Sequence, residues 1–129
     1  MITVGIDSVE IDRFTPFLSY SRKKLSRIFS NDEIDYCLKE PKKSAERLAV
    51  RFAAKEAFLK ALTPRLETRI SLLTVCRSCS VITTAQGIPH LRINSRSLGL
   101  QERSQWSVSL THTSVIATAV VILADSSLP

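Results

Sequence analysis

Three charged residues interrupt an otherwise apolar, alanine-rich run in the middle of the chain: Lys55, Glu56 and Lys60 in RFAAKEAFLKAL, Arg51 to Leu62. Burying a charge is costly unless it is paired or bound. On a helical wheel Glu56 projects between Phe52 and Ala49, with Lys60 one turn further along the same side, so both emerge from the apolar stripe. Two readings are open. An i, i+4 glutamate–lysine pair accounts for them structurally, contributing only about 0.2–0.5 kcal/mol on an exposed surface. Alternatively Glu56 joins a second acid around a cation, with Lys60 meeting a phosphate as a point charge. Asp7, in the strand-like ITVGIDSVEI, is the candidate second acid. Two carboxylates brought close repel unless a cation or a proton lies between them. Mg²⁺ suits such a pair, because it prefers octahedral oxygen, keeps several waters and is typically held by one or two carboxylates plus substrate phosphates. Taken alone, Asp7 reads equally as a polar strand-end residue or an N-cap with Glu10.

His112 in SLTHTS lies among the hydroxyls of Ser109, Thr111 and Thr113, at a break between two strand-like stretches. A histidine there is more often a hydrogen-bonded turn residue than a catalyst, and its partners set its tautomer. His90 precedes an alternating strand and gives no further signal. The P-loop, dinucleotide-binding, H-E-x-x-H and nucleophile-elbow signatures are all absent.

Cysteine occurs three times, at Cys37, Cys76 and Cys79. An odd count without an export signal points to reduced thiols. The C-x-x-C of Cys76 and Cys79 falls in a strand-like stretch, where residues three apart face opposite ways, and it lacks the second ligand pair of a structural zinc site. Eighteen Lys and Arg against twelve Asp and Glu give a net charge of +6 and imply an acidic partner: nucleic acid, an anionic small molecule or an acidic protein. A nucleic-acid domain accounts for the charge, but the eight aromatics are nowhere interleaved with basic residues as a stacking platform requires, and Glu56 is left without a role. With 129 residues, 44% of them apolar, no long uncharged run and no secretory signal, the chain reads as one domain, 1–129, soluble and cytoplasmic, with no membrane span.

The elements that must position these residues follow from pattern. Ile2, Val4 and Ile6 alternate with Asp7, Val9 and Ile11 on the opposite face of a first strand. FTPFLSYSRKKLSRIF predicts one or two short amphipathic helices with Arg22, Lys23, Lys24 and Arg27 on the basic side. Ser30 and Glu33 form a capping-box signature for a helix that Pro41 stops. A long helix over about 44–62 is expected, capped by Ser44 and ended by Pro64. Residues 71–93 read as two strands, SLLTVCRSCSVIT and IPHLRIN, turning at Ala85-Gln86-Gly87; NSRSLGLQERSQ reads as a loop with at most one helical turn. The chain closes with two strands broken near His112 to Ser114, and SSLP reads as a frayed tail. This order predicts an α+β fold: an antiparallel sheet with helices on one face, the long helix lying across it.

GIDSVEIDRF, RFAAKEAFLKAL and VSLTHTSVIATAVVI, in this order, closely resemble the holo-acyl-carrier-protein synthase family, the short single-half type of 4'-phosphopantetheinyl transferase. Chain length and the QGIP turn also fit. The resemblance implies that fold and an enzyme of fatty acid biosynthesis, which moves the phosphopantetheine arm of coenzyme A to a serine of apo-acyl carrier protein. Adenosine 3',5'-bisphosphate is released and Mg²⁺ is used. It implies Asp7 and Glu56 as metal ligands, Lys60 as a phosphate contact, and Ser109, His112 and Thr113 near the nucleotide end of coenzyme A. Arg13, with Arg22, Lys23, Lys24 and Arg27, would face the acidic carrier protein. A homotrimer with sites between subunits is implied as well. A degenerate member that binds coenzyme A or carrier protein without catalysis is the variant reading, and it rests on one departure. Where the family runs into a glycine-rich turn, this chain reads TPRLETRIS, leaving Arg65 or Arg69 as substitute phosphate ligands.

Overall fold

The computed structural model describes residues 1–125, so the SSLP tail lies outside the described residues. Strand β1 (Ile2–Glu10) leads through short 3-10 turns to α1 (Arg22–Leu25) and α2 (Asn31–Leu38). The long helix α3 (Ser44–Leu62) follows, then α4 (Leu72–Ser78), β2 (Cys79–Thr83), β3 (Pro89–Ile93), β4 (Ser104–His112) and β5 (Ile116–Asp125). The α+β class and antiparallel pairing are as expected, but the strands divide into two sheets: β1-β5-β4 and the two-stranded β2-β3.

Helix α3 lies on the inner face of the three-stranded sheet, contacting chiefly β1 and β5. Its Ala49, Ala53, Ala54, Ala57 and Ala61 are fully buried, and small side chains allow close approach. Gly5 of β1 marks the tightest point, since a Cβ there would sit 1.8 Å from the carbonyl oxygen of Ala57. Glycine is required by backbone proximity here rather than by conformation. Because inward-facing residues recur every second position, Gly5, Asp7 and Val9 share the inner face. The contact at Gly5 therefore sets Asp7 against the last turns of α3.

Ser30 and Glu33 form the expected capping box of α2. Glu33 has a second role that the box hides. Its Oε1 accepts a hydrogen bond from Lys55 Nζ at 2.6 Å and its Oε2 accepts one from Val81 N at 3.0 Å, while Lys55 also donates to the carbonyls of Ile28 at 2.7 Å and Cys76 at 3.2 Å. Both side chains are fully buried. This pair ties α3 to α2, α4 and β2, and accounts for one of the three interrupting charges.

Several expectations are corrected. Ser44 does not cap α3: the 3-10 turn Pro41–Lys43 feeds straight into the helix with Lys43 already near helical angles, and the Ser44 hydroxyl donates to the Glu40 carbonyl at 3.2 Å. Leu72–Ser78 is helical rather than a strand, capped by Ser71, which accepts from Thr74 N at 3.2 Å. Burying Val75 and Cys76 outweighs the strand preference of this run. Cys76 therefore sits on a helix and Cys79 opens β2, and both point inward rather than to opposite faces of one strand. Burial pushes the thiols of Cys37 and Cys76 up to about 11 and that of Cys79 to about 12, which leaves them protonated and unreactive.

Arg65 is no phosphate ligand. It donates to Thr3 Oγ1 at 2.9 Å and to the carbonyls of Met1 and Leu123, both at 2.8 Å, and it pairs with Asp125. The glycine-less loop thus clasps the outer ends of β1 and β5. Arg69 is exposed.

Candidate active site

Asp7 is nearly buried, and its Oδ1 accepts from Lys60 Nζ at 3.0 Å, while Lys60 also donates to the Ile6 carbonyl at 3.0 Å. The other oxygen, Asp7 Oδ2, is buried with no hydrogen-bond donor. Glu56 lies beside it. The Glu56 carboxyl is raised above its ordinary range first by burial, then by the neighbouring Asp7 charge, against the opposing pull of Lys60 and Arg13. Two ionised carboxylates this close repel, so the pair calls for a proton or a cation between them. Strand β1 and helix α3 thus bring together two acids 49 positions apart, as 56 − 7 shows.

The donor set fits Mg²⁺. Among the described residues no group of three or more His, Cys, Asp and Glu side chains gathers. The fit rests on the acid pair itself: Mg²⁺ is typically held by one or two carboxylates, and one oxygen of Asp7 is buried without a donor. Arg13, expected on a docking face, also lies near enough to act on the Glu56 carboxyl.

The third sequence block is split by strand alternation. Ser109 points to the exposed face of β4, whereas Leu110 and His112 line a cavity of about 320 Å³ on the inner side. His112 Nε2 lies 3.1 Å from Glu46 Oε1 and its Nδ1 lies 3.2 Å from the Thr113 carbonyl. Thr113 shapes the β4–β5 turn, its Oγ1 accepting from Val115 N at 3.1 Å and Ile116 N at 3.0 Å.

Sequence reasoning missed the cations opposite His112. Lys43, Arg47 and Arg51 line the same cavity. Arg51 is only 3% exposed, and its Nε is buried without a partner. The missed signal was spacing: Arg47 and Arg51 are four residues apart on α3, on one face. The cavity shares no lining residue with the acid pair, and ten helical residues, about 15 Å, separate Glu46 from Glu56.

The basic residues Arg22, Lys23 and Lys24 lie exposed on α1, with Arg27 just after it. Arg22 pairs with Asp35 at 2.9 Å.

A two-acid site between a first strand and a long helix, in this α+β frame, defines the class, and the family model described as the 4'-phosphopantetheinyl transferase superfamily matches residues 3–121. A holo-[acyl-carrier-protein] synthase of Chloroherpeton thalassium is 38% identical over 121 residues, covering 93% of this chain and 95% of that protein. A Chronobacterium ammoniagenes ACPS-CoA complex superposes with a TM-score of 0.81 at 26% identity, covering 98% of each chain. A Bacillus anthracis holo-(acyl-carrier-protein) synthase in complex with CoA (3',5'-ADP) has a TM-score of 0.74 at 27% identity, covering 96% of each. The chain belongs to the holo-[acyl-carrier-protein] synthase family of that superfamily.

Proposed function

We propose that this protein transfers 4'-phosphopantetheine from coenzyme A to a serine of apo-acyl carrier protein, in support of fatty acid biosynthesis. The observation that carries this reading is the buried, donor-less oxygen of Asp7 held against Glu56. In the reaction the serine oxygen forms a bond to the β-phosphorus of coenzyme A, the bond from that phosphorus to the bridging oxygen breaks, and adenosine 3',5'-bisphosphate leaves. Asp7 and Glu56 would hold Mg²⁺ against the pyrophosphate. The ion, when bound, neutralises charge developing on the phosphate oxygens. Lys60 is half-exposed on a flexible stem, so it can turn from Asp7 toward the departing phosphate. The serine proton passes to solvent or to Glu56.

The cavity of Lys43, Arg47, Arg51 and His112 is assigned to the nucleotide end, where a phosphate monoester would meet its cations. Arg13, Arg22, Lys23, Lys24 and Arg27 offer a basic surface to an acidic carrier protein. No helix among the described residues is long and apolar enough to cross a membrane, and a cytoplasmic location belongs to the same reading.

The decisive assay incubates the protein with coenzyme A, apo-acyl carrier protein and Mg²⁺ and weighs the carrier. A mass gain of one phosphopantetheine arm is expected, at a rate that falls as salt is raised and as Mg²⁺ is removed. A carrier of unchanged mass would sink the activity, and a salt-independent rate would sink the docking face.

A trimer is part of the proposal. The outer face of the sheet leaves Ile2 at 75%, Val4 at 62%, Ile6 at 58% and Ile122 at 43% exposed, a contiguous apolar stripe on β1 and β5. Such a stripe marks an interaction site. Packing copies there is compatible with a coenzyme shared between the acid pair of one and the cavity of the next. Analytical ultracentrifugation is expected to give three times the chain mass at micromolar concentration; a monomer would remove the trimer from this reading.

A further inference from the structure

Tyr36, on α2, lines the cationic cavity. The guanidinium carbons of Arg47 and Arg51 each lie 4.4 Å from the centre of its ring. Two like charges would otherwise push each other apart across one helical turn. The negative face of an aromatic ring attracts guanidinium groups and offers them a flat surface to stack on. The remaining bonds complete the restraint. Arg47 donates to the Tyr36 carbonyl at 3.1 Å and to Glu40 at 2.9 Å, while Arg51 donates to Thr83 Oγ1 at 3.0 Å and to the Arg47 carbonyl at 3.3 Å. Neither interaction set uses all five guanidinium N–H groups, and Arg51 Nε stays without an acceptor. A fixed pair of forks with spare donors is suited to a phosphate monoester, and holding them in place beforehand spares the ligand the loss of two flexible side chains' freedom.

We propose that Tyr36 is a positioning residue, whose ring holds Arg47 and Arg51 as a preset pair for the nucleotide's monoester phosphate and so sets the preference for coenzyme A over its 3'-dephospho form. This rests on the assignment of the cavity to the nucleotide end. The other charged groups facing it, Lys43, Glu46 and His112, are not held by the ring.

The test compares kcat/KM for coenzyme A and for 3'-dephospho-coenzyme A, with apo-acyl carrier protein and Mg²⁺, in the wild type, Tyr36→Phe, Tyr36→Leu and Tyr36→Met. The two ringless variants guard against a folding defect in either, and thermal unfolding checks each. The ringless variants are expected to lose about tenfold of the preference through a raised KM for coenzyme A, with kcat and the dephospho reaction little changed. Tyr36→Phe, which keeps the ring, is expected to stay within about twofold of wild type. Wild-type preference in a folded ringless variant, or equal loss in Tyr36→Phe, would overturn the positioning role. A wild type that does not distinguish the two substrates would overturn the cavity assignment itself, and the inference with it.

Discussion

Asp7→Asn and Glu56→Gln should each lower kcat/KM for phosphopantetheine transfer by on the order of 10²–10³-fold, the range for removing one preorganised electrostatic contact from a transition state. Each substitution leaves shape intact and removes half the negative charge of the pair. Much of the work in phosphoryl transfer is positioning and charge neutralisation, so a clamp with one carboxylate should also need more Mg²⁺ to reach half-maximal rate. Stability should move the other way for Glu56→Gln. The Glu56 carboxyl is raised in the folded protein, by burial first and by Asp7 second. Its neutral form is therefore the one the fold favours, and that contribution is present at low pH and lost as pH rises through the raised value. In metal-free buffer at a pH above that raised value the ionised wild type bears this penalty and the glutamine variant does not, so there the variant should unfold at the higher temperature, with Mg²⁺ narrowing the gap. Titrating Mg²⁺ in activity and thermal-unfolding assays reads both effects. Activity within a few-fold of wild type in both variants would sink the clamp.

Lys55→Met should destabilise the protein by about 3–5 kcal/mol, as expected when one partner of a buried ion pair is removed. For a chain of this size that corresponds to a fall in Tm of roughly 10 °C or more. Screening by solvent offers little relief, because neither Lys55 nor Glu33 is exposed at all. The variant strands a carboxylate whose remaining donors are the backbone N–H groups of Ser30 and Val81, and it frees the carbonyls of Ile28 and Cys76. Removing both charges in Glu33→Gln/Lys55→Met should recover part of the loss, since the uncompensated charge is the larger share. Calorimetry of the single and double variants checks this. A Lys55→Met protein melting within about 2 °C of wild type would show that the pair contributes little.

The meeting of Asp7 and Glu56 was readable before folding because both residue types stand against their local pattern. An acid inside a strand alternation and an acid emerging from an apolar helix stripe each signalled a partner, and the long helix was unmistakable from its alanines. What sequence could not show was which charge met which. Lys55 sits beside Glu56, yet its partner is Glu33, a residue already accounted for as half of a capping box. Strand alternation sends Ser109 away from His112 although three positions separate them. The helix Leu72–Ser78 was lost because threonine and valine favour strands when no packing is known, though Ser71 at its start was a legible cap. Arg47 and Arg51 were passed over, because only the packing of β3 and β4 shows that a cavity closes over them.

Strand β1 pairs along its whole length with β5, Ile2 opposite Ala124 and Glu10 opposite Ile116, and with no other strand among the described residues. While the chain emerges from a ribosome, its opening nine residues therefore wait for the closing segment before their backbone groups find partners. Pairing strands this distant along the chain slows folding and leaves sticky edges uncovered in the meantime, so loss of β5 should strip β1 of its only backbone partner among the described residues and with it the support beneath Asp7.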